Sequence, residues 1–127
     1  MATFAPSIDR MSDQVYLVLA YDTEDQNNVR NAFLDDHLEF IEKNYNCYLS
    51  CGPLRLPGEK DIIGSFFIIA SENEDKLNTF LYKDPYFKNG LYGKLRILSA
   101  TPAAGSWMGG VIWNNAGDIR PNATKIS

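Results

Sequence analysis

Two stretches of this chain, VYLVLAY at 15–21 and IIGSFFIIA at 62–70, carry apolar side chains on both alternating faces. A strand whose odd and even positions are both apolar must be covered on both sides, so any sheet containing these two needs a layer above and a layer below it. TEDQ at 23–26 is a capping box, in which Thr23 accepts from the backbone of the third residue on while Gln26 reaches back. It opens a predicted helix over 24–44 with Val29, Phe33, Leu34, Leu38, Phe40 and Ile41 at helical spacing. CYLSCGPL at 47–54 reads as a second strand ended by Gly52-Pro53, and RLPGEKD at 55–61 as a turn around Pro57-Gly58. SENE at 71–74 is a second capping box, opening a shorter helix over 72–82 with Leu77, Phe80 and Leu81 inward. Proline disfavours helical geometry in the residue before it, so Asp84 stops that helix and sits extended. A last strand at 91–99 carries Leu91, Leu95 and Ile97 on one face.

The order β-α-β-β-α-β is that of the ferredoxin-like α+β fold, an antiparallel sheet with two helices on one face. The other face then lacks a cover. A second copy of the same sheet supplies one, giving a C2 homodimer of the dimeric α/β-barrel type, unless the C-terminal tail supplies it instead. The expected division is a domain over 14–100 and an extension over 101–127, preceded by a loose polar arm at 1–13. The extension is turn-rich but contains Trp107, Met108, Val111, Ile112 and Trp113, so it is expected to dock on the domain or across the dimer.

Composition excludes several classes. Hydrophobic residues make up 45% and charged residues 22% of 127, a globular balance rather than a disordered one. The formal net charge is −4 and the basic residues are scattered, which argues against a nucleic-acid partner. No stretch approaches the ~20 apolar residues of a membrane span, and the N-terminus lacks the apolar segment of a secretory signal, so the expectation is a cytoplasmic protein away from membranes. Cys47 and Cys51, four apart, face the same way in an extended segment. Zinc needs about four N or S ligands, and two cysteines and one histidine do not reach that number, so both are read as free thiols with no metal. The NAT at 122–124 fits a glycosylation pattern that means nothing without secretion.

The candidate residues each have a bland reading. His37, four residues after Phe33 and four before Ile41, falls on or beside the inward helix face, with Arg30 on nearly the same line. A lone histidine there is most often a boundary residue, yet it is the side chain whose charge changes most easily near neutral pH and thus the leading general acid or base. Asp84 before proline is common turn chemistry, and Tyr86, Phe87 and Tyr92 are by default core aromatics. Asp35 and Asp36 belong to the solvated side. Ser50 has no nucleophile-elbow context, GPL is no phosphate cradle, and no nucleotide-binding glycine pattern occurs.

Taken together, Arg30-x6-His37-Leu38, CGPL at 51–54, GSFFIIAS at 64–71 and LYKDPYFKNGLY at 81–92 resemble the YciI-like (YCII-related) proteins over about residues 14–100. The resemblance implies a ferredoxin-like dimer similar to muconolactone isomerase and a cleft holding a histidine and an aspartate, by position His37 and Asp84. Two positions depart from the family pattern: Leu34 stands where a second arginine is frequent, and Asp36 where a small residue is usual. With no nucleotide, metal or activated-nucleophile motif, the chemistry expected is cofactor-free proton transfer by a His37–Asp84 pair. Isomerisation, dehydrohalogenation, dehydration or cyclisation of a small cyclic or aromatic compound all suit such a pair. Arg30, Ser50, Tyr86, Phe87 and Tyr92 are the expected substrate-binding residues, the aromatics as an apolar wall and Arg30 as an oxyanion or carboxylate partner. The competing expectation is a non-catalytic small-molecule-binding or regulatory dimer.

Overall fold

The computed structural model describes residues 4–24 and 27–119. Asp13–Ala100 make one compact unit, and the described residues on either side of it make a second. In the first unit, β1 (Gln14–Asp22), β2 (Tyr48–Leu54), β3 (Gly64–Ser71) and β4 (Tyr92–Ala100) form one antiparallel sheet in the order β2-β3-β1-β4. This is the ferredoxin-like arrangement expected from the element order. Between the strands lie α1 (Asn27–Ala32), α2 (Leu34–Lys43), α3 (Glu74–Leu81) and the short α4 (Pro85–Lys88).

Alternation along the central strands sorts their residues between the two faces. Tyr16, Val18 and Ala20 of β1 join Phe67 and Ile69 of β3 in the buried core, where Leu77 and Leu81 of α3 and Phe87 of α4 pack on them. Full burial of a leucine such as Leu77 contributes about 1.5–3 kcal/mol, which fixes α3 firmly on the sheet. On the opposite face, Leu17, Leu19, Phe66 and Ile68 are half-buried. Gly64 is required where β3 meets β1, because a Cβ there would stand 2.3 Å from the Ala20 carbonyl oxygen.

Several local expectations are corrected. The long first helix is two helices with a break at Phe33, whose φ of −110° and ψ of 11° leave the helical well. Backbone bonds from Phe33 N to Val29 O (3.0 Å) and from His37 N to Phe33 O (2.9 Å) bridge the break, so the apolar periodicity runs through it unaltered. The capping box at 23–26 lies partly outside the described residues, as does the NAT at 122–124. The second helix is capped by Asn73 rather than Ser71: the Asn73 side chain accepts from Lys76 N at 2.9 Å, and Ser71 Oγ donates to the Asn73 carbonyl. The two cysteines do not share a face. Cys47 is exposed in a 3-10 turn over Tyr45–Cys47, and a register shift between Tyr48 and Ser50 turns Cys51 inward.

In the second unit, the described part of the N-terminal arm is tied down at Pro6 and Ile8. Ile8 N donates to Val111 O at 2.7 Å and Val111 N to Pro6 O at 2.8 Å, joining the arm to the small β5 (Ala104–Gly105) and β6 (Gly110–Val111) ladder. Trp107 is 86% exposed. Among the described residues no helix is long and apolar enough to cross a membrane.

Candidate active site

The segment KDPYF places the first key side chain. Asp84 is extended (φ −70°, ψ 130°) as Pro85 demands, and the same Asp-Pro step then starts a new helix that proline's breaking role concealed. Proline at the first helical position loses no needed donor, and Asp84 Oδ1 caps α4 by accepting from Tyr86 N at 2.9 Å. Gly90, at φ 73°, ends the turn by taking the left-handed conformation, and Leu91 N closes back onto Tyr86 O at 3.1 Å. Asp84 is thereby held 1% exposed.

His37 reaches it from α2. Its Nδ1 lies 2.8 Å from Asp84 Oδ1, with the two side chains 12% and 2% exposed. A carboxylate can only accept, so Nδ1 carries the hydrogen, and in the neutral ring Nε2 is left with a free lone pair. The imidazole also stacks on Tyr86, ring centroids 3.9 Å apart and planes 11° from parallel, so its orientation is set from two directions. Asp84 Oδ2 is buried with no partner among the described residues.

Beside the pair, α2 and the β2–β3 side of the sheet enclose a partly open cavity of about 360 Å³. Leu34, His37, Leu38 and Ile41 form one helical stripe along one wall, spaced three and four apart. None of the residues of α2 is fully buried. The facing wall is Cys51, Gly52 and Pro53 from β2 with Ser65 and Phe67 from β3; Ile62, Arg30 and Tyr86 complete the lining. Most of this lining is apolar. Among the described residues no group of three or more His, Cys, Asp or Glu side chains is placed to hold a metal ion.

Arg30 is already engaged. Its Nε and Nη2 fork onto the Asp22 carboxylate at 2.9 and 2.7 Å, and its guanidinium carbon lies 5.1 Å from the Tyr86 ring centroid. Burial works to lower its pKa, but the hydrogen bonds and charge of Asp22 outweigh that and hold it above the usual arginine value. Tyr86 in turn donates its hydroxyl to the Arg30 carbonyl at 3.1 Å. Burial, reinforced by the nearby Asp84 charge, pushes the Cys51 thiol up.

Of the residues singled out in the sequence, His37, Asp84, Arg30 and Tyr86 are brought together here. Three are not at the cavity wall. Ser50 pairs with Ile68, so next to inward-facing Cys51 it points to the other face of the sheet. Phe87 is in the core behind the wall, 5.8 Å from Phe67 and 4.8 Å from Tyr92 between ring centroids. Tyr92 also stands behind it, and its hydroxyl donates to the Oγ of the lining residue Ser65 at 2.8 Å. Ser65 and Asp22 are the residues that sequence reasoning passed over. Ser65 sits two positions before Phe67 in an apolar strand, an out-of-place polar residue that period-two alternation turns toward the core side.

The sequence model of the YCII-related domain matches residues 15–101. The chain belongs to the YCII-related family. No curated protein sequence matches the chain. Among solved structures it is similar to the 5-chloro-2-hydroxyhydroquinone dehydrochlorinase (TftG) of Burkholderia phenoliruptrix AC1100, in complex with 2,5-dihydroxybenzoquinone. The two share 25% identity with a TM-score of 0.64, over 72% of this chain and 96% of that one. Family membership and this likeness agree with the fold read from the element order.

Proposed function

We propose that this chain is a cofactor-free acid–base enzyme of the lyase or isomerase type, acting on a small cyclic or aromatic compound through His37 backed by Asp84. The observation that carries the reading is the 2.8 Å contact between His37 Nδ1 and Asp84 Oδ1 at the wall of an apolar cavity of about 360 Å³. The cavity is of the size and polarity that suit a single ring. The buried carboxylate keeps the imidazole in the tautomer that exposes Nε2 and stabilises the charge the ring gains when Nε2 takes a proton. A positioned base of this kind contributes typically ~10²–10⁴-fold.

Dehydrohalogenation is the favoured reaction within this class, by analogy with TftG. Loss of HCl from a chlorinated hydroxyhydroquinone needs a proton taken from the substrate and an electron pair expelled with chloride; His37 accepts the proton and chloride departs with the C–Cl pair. With Asp22 already matching the Arg30 charge, a neutral hydroxylated ring suits the site better than a carboxylate. The working assembly in this reading is a homodimer, a second copy covering the sheet face that carries Leu17, Leu19, Phe66 and Ile68.

The test is chloride release from 5-chloro-2-hydroxyhydroquinone. The native chain is expected to turn it over, and His37→Ala and His37→Gln to lose about 10²–10⁴-fold while keeping the native circular dichroism. Equal turnover by both variants would defeat the His37 assignment. Tight binding of the ring without turnover would favour the non-catalytic binding protein.

A further inference from the structure

Proton abstraction by His37 pushes negative charge into the ring, and that charge collects on a ring oxygen, where a preorganised donor is worth most. Arg30 is occupied by Asp22, and the remaining lining is largely apolar. Ser65 differs. It is 4% exposed, lines the cavity from β3, and so faces across the space from the α2 wall that carries His37. Its Oγ accepts the Tyr92 hydroxyl hydrogen at 2.8 Å, the one side-chain hydrogen bond it makes among the described residues.

Tyr92 is itself locked in place by edge-on contacts with Phe87 at 4.8 Å, Tyr86 at 6.2 Å and Phe67 at 6.4 Å. Burial pushes its phenol pKa far up, so it stays a donor through the neutral range. With one lone pair of Ser65 Oγ occupied by Tyr92, the serine's own hydrogen has no acceptor among the described residues and is available to the cavity. A buried donor without an acceptor costs free energy until a ligand supplies one.

We infer that Ser65 is a substrate-contacting hydrogen-bond donor for a ring oxygen, oriented by Tyr92 as a positioning residue, and that it selects hydroxylated or quinonoid rings over rings lacking oxygen. This rests on the reading of the cavity as a site for a cyclic compound, and extends it by naming the group that recognises the ring's oxygen.

The experiment is equilibrium binding of two probes to the intact chain: 2,5-dihydroxybenzoquinone, and p-xylene as a six-membered ring without oxygen. Ser65→Ala is expected to weaken the oxygenated probe by roughly 10–100-fold and to leave p-xylene within about twofold. Tyr92→Phe, which keeps the serine but frees it to rotate, is expected to weaken the same probe less and to shift the visible absorption of the bound form. Ser65→Thr, which retains the hydroxyl, is expected to recover most of the affinity. An unchanged dihydroxybenzoquinone affinity in Ser65→Ala, with binding lost in His37→Ala, overturns this inference alone. Equal losses for both probes also overturn it, since packing rather than a hydrogen bond would be responsible. No binding of either probe by the native chain overturns this inference and the proposed function with it.

Discussion

The His37–Asp84 contact has an energetic consequence that can be measured without a substrate. Asp84 Oδ1 makes two hydrogen bonds, one to Tyr86 N at 2.9 Å and one to His37 Nδ1 at 2.8 Å. Replacing the aspartate by alanine removes both and confuses them; Asp84→Asn keeps a good cap for α4 and removes only the charge facing the imidazole. A hydrogen bond to a charged group is worth about 1.5–3 kcal/mol, and Asp84 at 1% exposure has no water to replace it. His37→Ala loses the same bond together with the stack on Tyr86 at 3.9 Å, a contribution that cancels in a double-mutant cycle. The native chain, the two single variants and the double variant are compared by urea unfolding. Far-ultraviolet circular dichroism is the readout, because both tryptophans lie outside the unit that holds the site. Because the asparagine oxygen can still accept from Nδ1, the coupling reports the difference between a charged and a neutral hydrogen bond and is expected to be about 1–1.5 kcal/mol. Additivity within about 0.5 kcal/mol would show that the two side chains do not interact and would refute the pairing.

Two further outcomes are expected. The Tyr92 phenol is raised above its unfolded value of 10.0 by burial, so the stability it contributes is complete below pH 10.0 and is lost as pH rises, the unfolded chain ionising first. Above that pH the loss attributable to this one group is about 1.4 kcal/mol per pH unit, and Tyr92→Phe is expected to flatten the alkaline unfolding curve by that amount; an unchanged slope would show the phenol to be exposed in the folded chain. Iodoacetamide at neutral pH is expected to modify exposed Cys47 first and Cys51 much later, since the Cys51 thiol is partly buried and pushed up, with peptide mass spectrometry as the readout. Equal labelling rates would contradict the inward turn of β2.

Much of the fold was legible because two signals are local and strong. The two-faced apolar strands identify β1 and β3, and the Asp-Pro step fixes the backbone of residue 84 whatever surrounds it. The pairing of His37 with Asp84, 47 positions apart, is different in kind: helical phase puts the histidine inward, but only the family resemblance brought the aspartate to it. The misplacement of Ser50 shows why spacing alone fails. A register shift after Tyr48 resets the alternation of β2, and a shift of one residue moves a side chain to the other face of the sheet. Ser65 was hidden by its apolar neighbours, and its meaning comes from Tyr92, whose hydroxyl reaches it across 27 positions. The break at Phe33 left no mark either, because hydrogen bonds continue across it and the chain there holds neither proline nor glycine.

His37 is the single histidine of the chain, so its imidazole nitrogens can be read without ambiguity. Long-range proton–nitrogen correlation spectra of the neutral imidazole in the ¹⁵N-labelled native chain test the account most directly. The result expected is a hydrogen on Nδ1, held by Asp84, and a bare Nε2, with that preference weakened in Asp84→Asn and lost in Asp84→Ala. A hydrogen on Nε2 in the native chain would leave no lone pair facing the cavity and would contradict the proposed role of the pair.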